Sequence, residues 1–76
     1  MNWQDRITAD PATLVGKPVI KGTRLAVDFL VELLAENWTH EQILRNYPQL
    51  TEDDILAALH YAAAALKQEH VYPLPV

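Results

Sequence analysis

The chain contains no cysteine among its 76 residues, which excludes a disulfide framework and a thiol nucleophile. It also lacks the run of roughly 18 apolar residues that a membrane span requires, and its first ten residues lack the features of a signal peptide. We therefore expect a cytoplasmic protein. At this length we expect one domain spanning residues 1–76. Small domains of this kind usually need a metal or a partner chain for stability.

Basic residues are few and unevenly placed in this acidic chain, whose net charge is −4. Residues 1–25 carry four basic residues and two acidic ones, whereas residues 26–76 carry two basic residues and eight acidic ones. Phosphates and carboxylates are bound mainly by Lys and Arg. Any anion-binding surface is therefore predicted to lie in the first third of the chain.

Half of the residues are hydrophobic, which is too many for a disordered segment. The chain can therefore form a core, and it has apolar residues left over for an interface. We expect a homo-oligomer, either a dimer or a larger assembly.

Residues 1–25 have the pattern of an extended element. Residues 7–11 predict a short extended segment that ends at a proline. Residues 16–25 predict a β-hairpin, because Gly22 can supply the positive φ of a tight turn between two short strands.

From residue 27 onward the hydrophobic period is that of an amphipathic helix. Its apolar face comprises Phe29, Leu30, Leu33 and Leu34. Another face is acidic at Asp28, Glu32 and Glu36, which indicates a solvated surface or, alternatively, a docking face for a basic partner. Asn37 is suited to end the helix, because asparagine tolerates the left-handed conformation.

Two capping patterns predict the remaining helices. Thr39 and Gln42 match a capping box, so a second helix is expected to run to about residue 46. Thr51 followed three residues later by Asp54 resembles a further N-cap and predicts a third helix over residues 52–68. We assign residues 26–68 to a three-helix bundle. We expect residues 69–76 to form an extended tail, because their two prolines exclude a helix there.

The third helix is apolar on almost every side. One stripe is expected to face the core and contains Ile55, Leu59, Ala62, Ala63 and Leu66. A helix that is apolar all round is usually covered on two sides. The other apolar positions therefore predict an oligomer interface, formed by Leu56, Ala57, Ala58, Tyr61 and Ala65.

Five short motifs occur in a specific order: GKPVIKGTR at residues 16–24, LLAE at 33–36, EQIL at 41–44, YPQLT at 47–51 and DI at 54–55. In this order and spacing the chain resembles the bacterial domain-of-unknown-function 433 family over residues 7–64. The resemblance implies a mainly α fold, a homeodomain-like helix-turn-helix bundle of three helices preceded by a short N-terminal β element. It also implies an antitoxin-like role, because such proteins are often encoded beside a small PIN-like nuclease toxin. The family usually has Pro at Ala26 and Gly at Asn37.

Lys17, Lys21 and Arg24 are the candidate residues for binding a partner protein or a nucleic acid. In the functional interpretation Arg24 contacts a carboxylate or phosphate and the lysines add positive charge. In the structural interpretation they are solvated charges of a turn, and Arg24 pairs with Asp28 on the first helix. For an antitoxin-like protein, we expect either the hairpin that carries these cations, with Arg24 foremost, or the tail at residues 69–76 to block the acidic, metal-binding active site of the nuclease.

The sequence leaves two further functions open. The third helix begins with Glu52, Asp53 and Asp54, which would repel DNA in the major groove. A dimer could still present two basic hairpins to DNA as a transcriptional regulator. A plain oligomerisation module is the remaining alternative.

We expect a protein that is not an enzyme and that needs no metal or cofactor. The three histidines, His40, His60 and His70, have no metal-binding spacing. No catalytic triad is recognisable either.

Overall fold

The computed structural model describes residues 2–9 and 16–68. The chain begins with a 3₁₀ turn at Trp3–Arg6, followed by strand β1 (Ile7–Thr8) and strand β2 (Val19–Ile20). Helices α1 (Val27–Ala35), α2 (His40–Asn46) and α3 (Glu52–Gln68) then complete the fold. The fold is therefore mainly α, with three helices after a short antiparallel β element, as the resemblance implied. The expected tail at residues 69–76 lies outside the described residues.

The β element pairs different segments from those that the sequence predicted. β1 and β2 are antiparallel, with Ile7 opposite Ile20 and Thr8 opposite Val19. The predicted hairpin within residues 16–25 retains its turn, but no strand follows it; a single isolated bridge joins Val19 to Ala26, one residue beyond the predicted second arm. The prediction of a two-stranded hairpin is therefore wrong, because β1 rather than the second arm supplies the partner strand of β2.

A Schellman motif ends α1 at the residue that the sequence indicated. Asn37 has a φ of +74°, the left-handed conformation that asparagine tolerates better than most residues. The amide of Trp38 donates to the Leu33 carbonyl, and the amide of Asn37 donates to the Leu34 carbonyl, each over 3.0 Å. These two bonds satisfy carbonyls at the helix end and redirect the chain towards α2.

Both remaining helices begin with reciprocal caps. The Thr39 hydroxyl accepts from the Gln42 amide over 3.0 Å, and the Gln42 side chain accepts from the Thr39 amide over 2.8 Å. At α3 the Thr51 hydroxyl accepts from the Asp54 amide over 3.3 Å, and the Asp54 carboxylate accepts from the Thr51 amide over 2.9 Å. The predicted starts of both helices are therefore confirmed.

The core lies where the β element and the three helices converge. Its largest fully buried side chains are Val19, Ile20, Leu30, Ile43 and Ile55. Ile43 is the buried residue that the short α2 contributes to this core.

The inward face of α3 differs from the predicted stripe. Ile55 is fully buried as expected, but Leu59 and Leu66 are exposed by 37% and 59% of their surface. Ala57 and Ala58 are instead completely buried within the single chain. The face is rotated because α3 packs against the N-terminal 3₁₀ turn as well as against α1.

Within the described ranges, no helix is both long enough and apolar enough to span a membrane.

Candidate partner-binding surfaces

The residues Lys21, Gly22, Thr23 and Arg24 form an exposed loop that we call the basic turn. Gly22 adopts a φ of +82°, a conformation that a residue with a side chain would adopt only with strain. The Thr23 hydroxyl donates to the Ile20 carbonyl over 2.8 Å and accepts from the Leu25 amide over 3.0 Å. The Thr23 side chain therefore closes the turn together with the backbone hydrogen bond from the Thr23 amide to the Ile20 carbonyl.

Backbone hydrogen bonds fix both ends of the basic turn to the β element. The Ile20 amide donates to the Leu25 carbonyl over 2.9 Å, and the Lys21 amide donates to the Arg6 carbonyl over 2.8 Å. Lys21 and Arg24 are exposed on this fixed backbone. Neither forms an ion pair with another residue of the described ranges. Two of the three predicted cations therefore lie together and face solvent.

The third predicted cation has a different environment. The Lys17 ammonium lies 3.3 Å from the Asp28 carboxylate, with both side chains more than 60% exposed. Lys17 thus occupies the position beside Asp28 that the structural interpretation gave to Arg24, and the Arg24–Asp28 pair is not formed. An exposed pair of this kind contributes little to stability.

Arg6, a basic residue outside the predicted binding residues, lies against the acidic start of α3. Its guanidinium donates to the Asp54 carboxylate over 2.9 Å and to the Thr51 hydroxyl over 3.4 Å. It also lies 3.5 Å from the Asp53 carboxylate. The adjacent depression, about 490 Å³ in volume, is lined by Asn2, Asp5, Arg6, Lys21, Asp53 and Asp54. Part of the negative charge at the start of α3 is therefore neutralised from the N-terminal turn.

The predicted oligomer interface on α3 separates into three environments. Ala57 and Ala58 are buried within the single chain, so their assignment to an intersubunit surface is wrong. Tyr61 and Ala65 are half-buried and line an open groove of about 500 Å³ between α1 and α3. Leu56 is exposed on the opposite side of the helix.

Two of the three histidines make structural contacts, and His70 lies outside the described residues. The His40 ring contacts the Glu52 carboxylate through Nδ1, which joins the starts of α2 and α3. The His60 ring stacks on Trp3 at a centroid distance of 6.2 Å. Over residues 2–9 and 16–68 no group of three His, Cys, Asp or Glu side chains is placed to hold a metal ion.

The family model described as Protein of unknown function (DUF433) matches residues 7–62. The chain belongs to this family. It is also similar to the crystal structure of a DUF433 member protein from Anabaena variabilis ATCC 29413, with a TM-score of 0.79 and 34% sequence identity. The match covers 86% of this chain and 64% of that chain, so the chain spans somewhat less than two thirds of the relative's length. No curated protein matches the chain.

The part of the chain that matches the DUF433 model begins one residue after Arg6. The sequence carries no local signal for the role of Arg6, because its partner Asp54 lies 48 residues further along the chain. The one available signal is charge: three consecutive acidic residues begin α3, and few basic residues exist to compensate them. The basic turn, in contrast, lies within both the matched residues and the GKPVIKGTR motif.

Proposed function

We propose that this chain is a non-enzymatic, antitoxin-like binding protein that neutralises a small PIN-like nuclease. The proposal combines the antitoxin-like role that the family resemblance implies with the position of the positive charge. In an otherwise acidic protein, the two exposed cations of one short turn suit an acidic partner.

The observation that carries the proposal is the rigid presentation of Lys21 and Arg24. The backbone beneath them is fixed by hydrogen bonds to Arg6, Ile20 and Leu25. A loop that already has its bound conformation loses little conformational entropy on association. The basic turn therefore suits insertion into a narrow site on a partner protein.

PIN-like nucleases hold their metal ions with clustered carboxylates. The planar guanidinium of Arg24 can donate two parallel hydrogen bonds to one carboxylate, and Lys21 adds a second positive charge beside it. By occupying the carboxylates, these cations would compete with the metal ion that the nuclease requires. Inhibition in this mechanism needs no chemical reaction by the antitoxin-like chain.

The test is binding of the Arg24→Ala variant to a PIN-like nuclease from the same genome. Removing one partner of a desolvated charge pair typically costs 2–5 kcal/mol, so we expect the dissociation constant to rise about 30-fold or more. Arg45→Ala is the matched control, because Arg45 is also an exposed arginine, lies on α2, and pairs only with Glu41 among the described residues. Equal affinity of the two variants, measured by isothermal titration calorimetry, would refute the proposed mechanism.

A pull-down from lysate, with and without nuclease treatment, separates this proposal from DNA binding. Recovery of a stoichiometric PIN-like nuclease after the treatment supports the antitoxin-like role. DNA alone, bound with a steep dependence on salt, would instead indicate a regulator. Helix-turn-helix proteins read DNA with the first turn of the recognition helix. We favour the protein partner because the first turn of α3 carries Glu52, Asp53 and Asp54, which repel DNA phosphates.

A further inference from the structure

The outer face of α3 carries an exposed apolar stripe, which consists of Leu56, Leu59, Ala63 and Leu66. We propose that this stripe is the interface of a homodimer in which the α3 helices of two copies pack side by side in antiparallel orientation. The proposal is independent of the proposed function, because the stripe includes no residue of the basic turn.

The stripe consists of the large hydrophobic side chains that the described chain leaves exposed. Leu56 and Leu59 are each 37% exposed, and Leu66 is 59% exposed. Ala63, between them, is exposed as well. Buried Ala57 and Ala58 lie on the other side of the helix, where α1 and the N-terminal 3₁₀ turn pack. The rest of the chain covers part of Leu56 and Leu59, and Leu66 also borders the groove between α1 and α3, but each of the three keeps more than a third of its surface exposed.

The spacing of the stripe matches the seam of a two-helix coiled coil. Its members are three, four and three residues apart, which is the alternating pattern of core positions in a heptad repeat. This spacing keeps all four side chains on one narrow face of α3. A second helix can therefore contact all of them at once.

The stripe is complementary to itself when the second helix runs in the opposite direction. A two-fold axis between Leu59 and Ala63 places Leu56 opposite Leu66 of the second copy. The same axis places Leu59 of each copy opposite Ala63 of the other. A large side chain therefore packs against a small one at both of these symmetry-related contacts. A homodimer with such an axis is the commonest symmetric assembly of soluble proteins.

Charge favours the same orientation. The start of α3 is acidic, and its last turn carries the basic Lys67. In the antiparallel arrangement Lys67 lies beside Asp53 of the second copy, whose side chain is 51% exposed. The helix dipoles also oppose one another favourably. A parallel arrangement would instead bring the two acidic starts together, which is why a second copy in the antiparallel orientation is the occupant we infer.

Disulfide crosslinking tests both the interface and its orientation, and the absence of native cysteine makes the background low. In the Leu56→Cys/Leu66→Cys variant, the two introduced thiols meet across the dimer. In the Leu56→Cys variant the equivalent thiols are about 15 Å apart along the axis, because ten residues separate positions 56 and 66. This distance exceeds the reach of a disulfide, which needs Cα atoms within about 7 Å.

We expect mild oxidation at low protein concentration to convert most of the double variant into a covalent dimer, while the single variant stays uncrosslinked. Non-reducing electrophoresis measures both. Crosslinking of the single variant would indicate a parallel pair and overturn the proposal. Failure of the double variant to crosslink would overturn it as well, provided that circular dichroism shows the helices intact.

Analytical ultracentrifugation of the unmodified chain and of Leu59→Glu gives a second, independent test. The dimer loses two leucine contacts and gains two carboxylates about 6 Å apart along the helix axis at its centre, so we expect its dissociation constant to rise about 100-fold or more. Gln68→Glu is the matched control, because it adds the same charge to the same helix away from the stripe. A monomeric unmodified chain at millimolar concentration, or equal dimerisation of both variants, would refute the interface.

Discussion

Replacing Arg6 by alanine should destabilise the fold far more than the exposure of this residue suggests. The Arg6–Asp54 hydrogen bond is 2.9 Å long, and only 11% of the Asp54 side chain is exposed. A charge-assisted hydrogen bond to a partly buried group contributes about 1.5–3 kcal/mol, and the longer, exposed contact with Asp53 adds less than about 1 kcal/mol. Since Arg6 itself is 36% exposed, solvent screening reduces this gain, and we expect a net loss of about 2 kcal/mol.

Arg45→Ala provides the reference for that estimate. The Arg45–Glu41 contact, at 2.8 Å, has almost the same length, but both side chains are more than 70% exposed. Exposed pairs four residues apart on a helix contribute about 0.3–0.5 kcal/mol. The comparison of the two variants therefore isolates the effect of burial on an ion pair of given length.

Urea unfolding, followed by the fluorescence of Trp3 and Trp38, measures both variants. For a chain of this size the urea dependence is about 1 kcal/mol per molar, so the midpoint of Arg6→Ala should fall by about 2 M and that of Arg45→Ala by less than about 0.5 M. A double-mutant cycle with Asp54→Asn assigns the loss to the pair. Equal midpoints for Arg6→Ala and Arg45→Ala would show that the contact at the start of α3 is energetically unimportant.

Three further substitutions test the local structure. Asn37→Gly should raise the free energy of unfolding by about 0.5 kcal/mol, because glycine adopts a positive φ with less strain; an unchanged or lower urea midpoint would contradict the Schellman assignment. Thr39→Ala should lower the free energy by about 1 kcal/mol through loss of the α2 cap, and a neutral result would show that the capping box contributes nothing. Ala58→Glu should unfold the chain, since it places a carboxylate in the core. A folded Ala58→Glu variant, detected by circular dichroism, would contradict the complete burial of this position.

Features encoded by neighbouring residues could be predicted from the sequence. Asn37 ends α1, and the threonines at 39 and 51 begin the next two helices, because each cap depends on atoms within five residues of it. The family motif also located the basic turn correctly, since Gly22 and Thr23 fix its shape locally.

Features that depend on distant residues could not be predicted in this way. The Gly22 turn suggested a hairpin, whereas the partner of β2 is β1, twelve residues before it. The inward face of α3 was misassigned for a similar reason. Apolar residues occur on almost every side of α3, so their spacing does not select the buried face. That face depends on where the N-terminal 3₁₀ turn packs.

The contact between Arg6 and Asp54 also bears on the order of events in folding. It closes a loop of 48 residues, and the entropic cost of closing such a loop, about 3 kcal/mol from its length alone, is absent from the local turns that join α1, α2 and α3. The helices can therefore assemble before the N-terminal segment attaches to them. An interaction that forms after the transition state slows unfolding without accelerating folding. We therefore expect the loss of the Arg6 contact to shorten the lifetime of the native state and to leave the folding rate, set by the three helices, almost unchanged.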